Sequence, residues 1–399
     1  MDPKFEAIVN QTKVDVLSPN PESDNAAQLE KISRSFLSDT ITVPTKEMYQ
    51  YAAQASLGDD VYHEPSTTAL EAHIAQLTGK EAALFVTSGT MGNQLAIRTH
   101  LHQPPFSIVS DARAHINKFE AGGAAFHSGA HTITLTPSNG HHLTLKDIQP
   151  NVVFGSDVHI APTRLICLEN TLNGTIFPQS DIIEISEFAH KNNISMHLDG
   201  ARIWHVAAEE KIPISELCAP FDTVSLCFSK GLGAPVGTCL VGSKDFIQKA
   251  RWFRKMFGGG LRQTGILAGS IAYALTHNFP QLPRVHALAK RLQKDLEEIG
   301  VGILSPAETC MIFYDATTIG VEYWEAVERA AALPKPITLS GSRLVVHIQT
   351  SDGAVDDFVD MMRALKEEKA KAGFVPCASR SVDGVRNVYV RAVRPPSEV

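Results

Sequence analysis

Between about residues 46 and 280, short apolar runs recur, each followed by a helical or turn-rich stretch, and this alternation constrains the fold more than any other feature. The runs are Ala82–Val86, Phe106–Val109, Thr132–Leu135, Arg164–Leu168, Ser195–Leu198, Thr223–Phe228 and Gly237–Val241. A strand covered on both faces needs a continuous apolar run, and parallel neighbours need a crossover between them. The pattern therefore predicts an α/β chain with a mostly parallel sheet wrapped by helices, and ligands at the carboxyl ends of the strands. Only a short Gly/Pro turn separates the last two runs, which predicts one hairpin there. A helical stretch at Leu282–Ile299 then leads into a smaller α+β unit, with strands at Thr309–Tyr314 and Arg343–Ile348 and a helix at Ala354–Ala372. Residues 1 to about 37, rich in Asn, Pro, Ser and Asp, read as an extended or partly mobile arm, and the mixed tail after Gly373 is compatible with a strand around Arg386–Val390. The expected division is an arm at 1–45, a large unit at 46–281 and a small unit at 282–399.

Three of these strand ends carry polar residues. The run ending at Leu198 delivers Asp199 and then Arg202, and the run ending at Phe228 delivers Ser229-Lys230 before Gly231-Leu232-Gly233. An aspartate about thirty residues before Ser-Lys is the arrangement expected of a pyridoxal 5'-phosphate enzyme. There the lysine forms a Schiff base with the cofactor, and the carboxylate pairs with its pyridinium nitrogen. Singly, each residue has an ordinary reading, a solvated lysine or an aspartate in a turn. Ser88-Gly89-Thr90 supplies the context: it follows the run Ala82–Val86 and opens a helical pattern, where backbone N–H groups and the helix dipole favour a phosphate.

Composition narrows the partners. A formal charge of −7 gives no basis for binding nucleic acid or an anionic membrane. No run of eighteen apolar residues occurs, and the N-terminus lacks a secretory pattern, so a cytoplasmic protein is expected. The six cysteines have neither CxxC nor ligand spacing. They read as small core residues in a reducing compartment, with no metal site.

From about Ser38 to Val346 the chain resembles the threonine aldolases, which have the aspartate-aminotransferase-like fold (type I) of pyridoxal phosphate enzymes. The resemblance rests on Ser38-Asp39-Thr40, Gly58-Asp59-Asp60-Val61-Tyr62, Ser88-Gly89-Thr90, Arg113-Ala114-His115 and Glu120-Ala121-Gly122-Gly123. It continues through Leu168-Glu169-Asn170-Thr171, Leu198-Asp199-Gly200-Ala201-Arg202, Ser229-Lys230-Gly231-Leu232-Gly233 and Gly258-Gly259-Gly260-Leu261-Arg262-Gln263. The resemblance implies that Lys230 carries the cofactor and exchanges protons at Cα, that Asp199 keeps the pyridine nitrogen protonated, and that His115 stacks on the ring. A satisfied half-buried histidine is the rival reading of His115. Ser88, Gly89 and Thr90 would hold the phosphate. Arg202, also close to the cofactor, would take the substrate carboxylate with Arg343 and Ser38. Arg262 would reach a phosphate across a subunit interface, so a homodimer or homotetramer with shared active sites is expected, acting on a small amino acid.

Departures from the family pattern bear on the reaction. Where relatives place a histidine after Glu-Asn-Thr, or one residue later, this chain has Leu172 and Asn173, and neither can accept the proton of a β-hydroxyl. The family's Arg-Ser-Asp is Leu37-Ser38-Asp39 here, and Val61-Tyr62 is followed by His63-Glu64-Pro65-Ser66. His63, also readable as an exposed loop histidine, would be a second proton donor. These changes favour racemisation of alanine, as in a fungal alanine racemase of this family, which needs no base for a β-hydroxyl. The alternative is cleavage of threonine or allo-threonine to glycine and an aldehyde, with water, His63 or His127 as the base.

Overall fold

The computed structural model describes residues 2–14, 16 and 19–376. Seven strands form one sheet: β1 (Ala82–Val86), β2 (Ser107–Asp111), β3 (His131–Leu135), β4 (Thr163–Glu169), β5 (Ser195–Gly200), β6 (Thr223–Cys227) and β7 (Thr238–Gly242). Their spatial order is β1-β7-β6-β5-β4-β2-β3. β7 runs antiparallel to both its neighbours and the remaining pairs are parallel, so the predicted hairpin is the β6–β7 connection. Each of the apolar runs is a strand, with ends displaced by a residue or two. β2, β6 and β7 are buried at every position, as helices on both faces require. β3 lies at the edge and is partly exposed.

The helix Leu282–Ile299 occupies the predicted span. Leu282, Val285, Leu288, Leu292, Leu296 and Ile299 recur at helical spacing on its buried side, each contributing roughly 1.5–3 kcal/mol before ordering entropy is subtracted. Gly300, at φ +94°, ends it in the left-handed conformation that glycine adopts without steric cost. A second sheet, ordered β10-β9-β8 and wholly antiparallel, comprises β8 (Gly302–Ser305), β9 (Met311–Asp315) and β10 (Arg343–Val345). Sequence reading missed β8. Its four residues are all half-buried, and the short apolar stretch Val301–Leu304 directly follows the helix and was not read as a strand.

The N-terminal segment corrects the expectation of an extended arm. Helices form at Pro3–Thr12 and Pro21–Ser33, each with proline in its first turn, where the missing N–H costs nothing. Asp2 caps the first by accepting a hydrogen bond from the Lys4 amide. The chain then joins the small sheet: the Phe36 amide donates to the Thr338 carbonyl, the Val345 amide donates to the Phe36 carbonyl, and Phe36 is buried. The proposed strand at Arg386–Val390 and Cys377 lie outside the described residues. The other five cysteines are buried and free. No described helix is long and apolar enough to cross a membrane.

Candidate active site

β1, β2, β4, β5 and β6 point their carboxyl ends the same way, and every side chain considered for the cofactor's ring leaves the sheet at that edge. β1 leads into the helix Gly89–His100, where Ser88 is the N-cap, its Oγ accepting from the Met91 amide at 3.1 Å. Gly89 and Thr90 form the first helical turn and are half-buried. One turn on, Gly92 lets the helix press onto β6, since a Cβ there would lie 2.2 Å from Ser225 Oγ.

Asp199, on β5, is buried. Its Oδ2 accepts from Asn93 Nδ2 at 2.7 Å and its Oδ1 from the Ala201 amide at 3.0 Å. Among the described residues no lysine or arginine pairs with it. A buried carboxylate without a cation is costly unless a positive charge joins it, and a protonated pyridine nitrogen is such a charge. The residues present therefore fit pyridoxal phosphate. Lys230 follows β6, the next strand in the sheet, and is half-buried at the start of the turn that runs on to β7.

A continuous hydrogen-bond network fixes these groups. His115 Nδ1 is 2.9 Å from Glu120 Oε1, and the ligand atoms of His115, Glu120 and Asp199 lie within 4.8 Å of one another. The Glu120 bond outweighs burial and raises the His115 pKa. Asn93 donates both to Asp199 and, at 2.8 Å, to Glu120, so its Oδ1 must accept from His197 Nε2 at 3.1 Å. His197 Nδ1 is then the acceptor for the Thr223 hydroxyl at 2.9 Å, and Thr223 accepts in turn from His100 Nε2 at 2.8 Å. Sequence reading missed Asn93, Glu120 and His197 as site residues. Only their placement around Asp199 identifies them.

Burial pushes the His197 imidazole down to about 4, more than the Asp199 charge raises it. The unfolded chain takes up this proton near pH 6.5 and the native state does not, so the stability is complete above pH 6.5. It is lost progressively as pH falls toward about 4, a cost of about 3 kcal/mol. The expected result is a Tm that falls more steeply for the wild type than for His197→Gln between pH 6.5 and 4. Equal slopes in thermal scans would remove His197 as the source.

Glu169 ends β4 in register with Asp199 on β5, and its Oε2 accepts from the His115 amide at 2.7 Å. Burial first, and the Asp199 charge second, push its carboxyl up to about 8. Two neighbouring carboxyl groups thus divide their roles, Glu169 retaining its proton near neutrality beside Asp199.

On the side of the small sheet, Arg202 grips Asp39 with Nε at 2.8 Å and Nη2 at 2.6 Å. Burial alone would raise the Asp39 carboxyl, but the Arg202 guanidinium outweighs it and holds it well below the usual carboxylate range. Ser38 caps the turn that presents Asp39, its Oγ accepting from the Thr40 amide at 3.2 Å. Arg343, at the start of β10, donates to the Leu37 carbonyl at 3.1 Å, so Ser38, Asp39, Arg202 and Arg343 belong to one corner. His63 and Arg262 sit elsewhere in the chain. His63 is exposed in a surface groove beside Glu71, Arg251 and Trp252, and Arg262 is exposed and paired with Asp59 at 2.9 Å. Leu172 is buried in the loop after β4, where it lines a small cavity with Glu169.

Residues 35–318 match the family described as beta-eliminating lyase. A probable low-specificity L-threonine aldolase of Schizosaccharomyces pombe is 44% identical over 351 residues, covering 88% of this chain and 92% of that protein. The alanine racemase TOXG of Cochliobolus carbonum is 36% identical over 335 residues, covering 82% of this chain and 86% of that one. Among solved structures, the threonine aldolase of Leishmania major superposes with a TM-score of 0.70 at 19% identity, covering 83% of this chain and 99% of that one. That last likeness concerns the fold, which is the type I architecture of pyridoxal phosphate enzymes.

Proposed function

This chain belongs to the beta-eliminating lyase family and is a pyridoxal phosphate-dependent enzyme, and from that premise we propose that it is a low-specificity aldolase cleaving L-threonine and related β-hydroxy-α-amino acids to glycine and an aldehyde. The observation that carries the reading is the 44% identity, over most of both chains, to the probable low-specificity L-threonine aldolase. When bound, the cofactor supplies an electron sink for bonds broken at the substrate Cα. Asp199 keeps the ring nitrogen protonated, and the Asn93–His197 chain keeps Asp199 oriented. His115 covers the ring and Lys230 moves the proton at Cα. Ser88, Gly89 and Thr90 hold the phosphate. Ser38, Arg202 and Arg343 receive the substrate carboxylate. Asp39 occupies Nε and Nη2 of Arg202, which leaves Nη1 for that contact. Water accepts the β-hydroxyl proton in place of the imidazole that Leu172 displaces.

The enzyme acts as a homo-oligomer in this proposal. Supporting it, Leu57, Tyr62, Phe119 and Phe126 are exposed apolar side chains on or near the loops that carry His63 and His115, and Arg262 points outward. A cytoplasmic location accords with the sequence composition.

Alanine racemisation is the second reading, favoured by Leu172 and Asn173 and by the relative named as an alanine racemase. It would assign His63 as the second proton donor. The two part in one experiment: holoenzyme in deuterium oxide is given L-threonine and, separately, L-alanine, with aldehyde release and chiral amino-acid analysis as readouts. Rapid aldehyde and glycine with little D-alanine is the expected result. Rapid D-alanine with negligible aldehyde would replace the aldolase with the racemase.

A further inference from the structure

We propose that His141 and His142 share one proton and, through Glu308, act as positioning residues for the loop Asn170–Ile176 beside the active site. His141 Nε2 lies 2.6 Å from Glu308 Oε1, His142 Nε2 lies 2.6 Å from Asp181 Oδ2, and the two Nδ1 atoms are 2.8 Å apart. Each Nε2 faces a carboxylate oxygen and must donate. Two neutral rings would then set lone pair against lone pair at the Nδ1 contact. One additional proton resolves this, so the pair is an imidazole and an imidazolium between two carboxylates.

The pair ties together segments that are distant in sequence. Glu308 follows β8 in the small sheet, and Asp181 lies in the helix Gln179–Lys191. The second Glu308 oxygen accepts from the Ile176 amide at 2.6 Å, and Thr309 Oγ1 donates to the Gly174 carbonyl at 2.7 Å. Holding His141 therefore holds Glu308, and Glu308 holds the loop that carries Leu172. Both histidines, Leu172, Glu169 and Asp111 line one small cavity, with space for about one water.

Other charged groups face the pair. Asp111, at the end of β2, is neutralised by Arg113 through bonds of 2.9 and 2.8 Å. The same guanidinium donates to the His141 carbonyl at 2.8 Å. Glu169 faces the cavity from β4. The His141 bond also helps hold the Glu308 carboxyl below its usual range, outweighing burial, so Glu308 stays charged as the acceptor. With the shared proton in place the clamp is closed.

The test is hydrogen exchange of the holoenzyme over residues 170–177 for wild type, His142→Phe and Glu308→Gln. Phenylalanine keeps a ring against Phe177, which His142 contacts at 5.0 Å between ring centroids. The wild type is expected to protect this loop, with the Glu308 contacts in place. His142→Phe should be about tenfold less protected, as loss of a charge-assisted contact predicts. Should His142→Phe fail to fold, Glu308→Gln carries the same expectation. Wild-type protection in a folded variant would overturn the clamp. The effect on substrate rests on the aldolase reading: KM for L-threonine should rise about fivefold with kcat within about twofold, the pattern of lost binding. If the wild type releases no aldehyde, the aldolase reading falls while the exchange result still decides the clamp.

Discussion

Lys230→Ala is expected to abolish aldehyde release from L-threonine, a loss on the order of 10³-fold or more, while leaving the fold in place. Among the described residues no other lysine follows a strand at the carboxyl edge beside Asp199 so directly. Lys230 is half-buried and contributes no salt bridge among the described residues, so its removal should alter stability by no more than about 1 kcal/mol. Circular dichroism melts and visible absorbance of the reconstituted protein check the two halves separately. The variant should melt with the wild type and lack the absorbance of covalently held cofactor. Full activity with a normal melt would place the cofactor's attachment on another residue.

Asp199→Asn should be nearly as severe, through electrostatics rather than covalent attachment. The substitution keeps size but removes the buried charge that matches a protonated ring nitrogen. It also turns an acceptor toward Asn93 into an amide whose N–H groups oppose those already donated. A fall in kcat of about 10²–10³ is expected, the scale of losing one preorganised electrostatic contact at a reacting centre. Faster loss of cofactor on dialysis should accompany it. A variant that retains both cofactor and kcat would mean that the ring nitrogen pairs with some other group.

The elements most legible in the sequence are those whose burial is one-dimensional. β2, β6 and β7 are covered along their whole length, so unbroken apolar runs announced them, and the helix Leu282–Ile299 announced itself by spacing. β8 was missed because its apolar stretch is short and directly follows the helix ending at Ile299. The N-terminal helices were hidden because Asn, Asp, Ser and Pro suit a coil as well as a capped first turn. Of the site, Asp199 and Lys230 stood out because each ends an apolar strand with charge. The expected preference for racemisation rested on local departures at Leu172 and Asn173, Leu37 and His63, and residues spread over most of the chain weigh toward the aldolase.

By itself, the sequence determined the layered α/β architecture, the edge of the sheet at which we propose the chemistry, and the charged residues at the centre of that edge. Periodicity and strand-end punctuation are local properties, and a chain carries them wherever it folds. Only the tertiary structure decided the tautomer of His197, the retained proton of Glu169, the clasp of Arg202 on Asp39 and the His141–His142 pair. Asn93 meets Asp199 across 106 residues and His141 meets Glu308 across 167. Protonation there depends on burial and neighbouring charge, and those exist only once distant segments pack together.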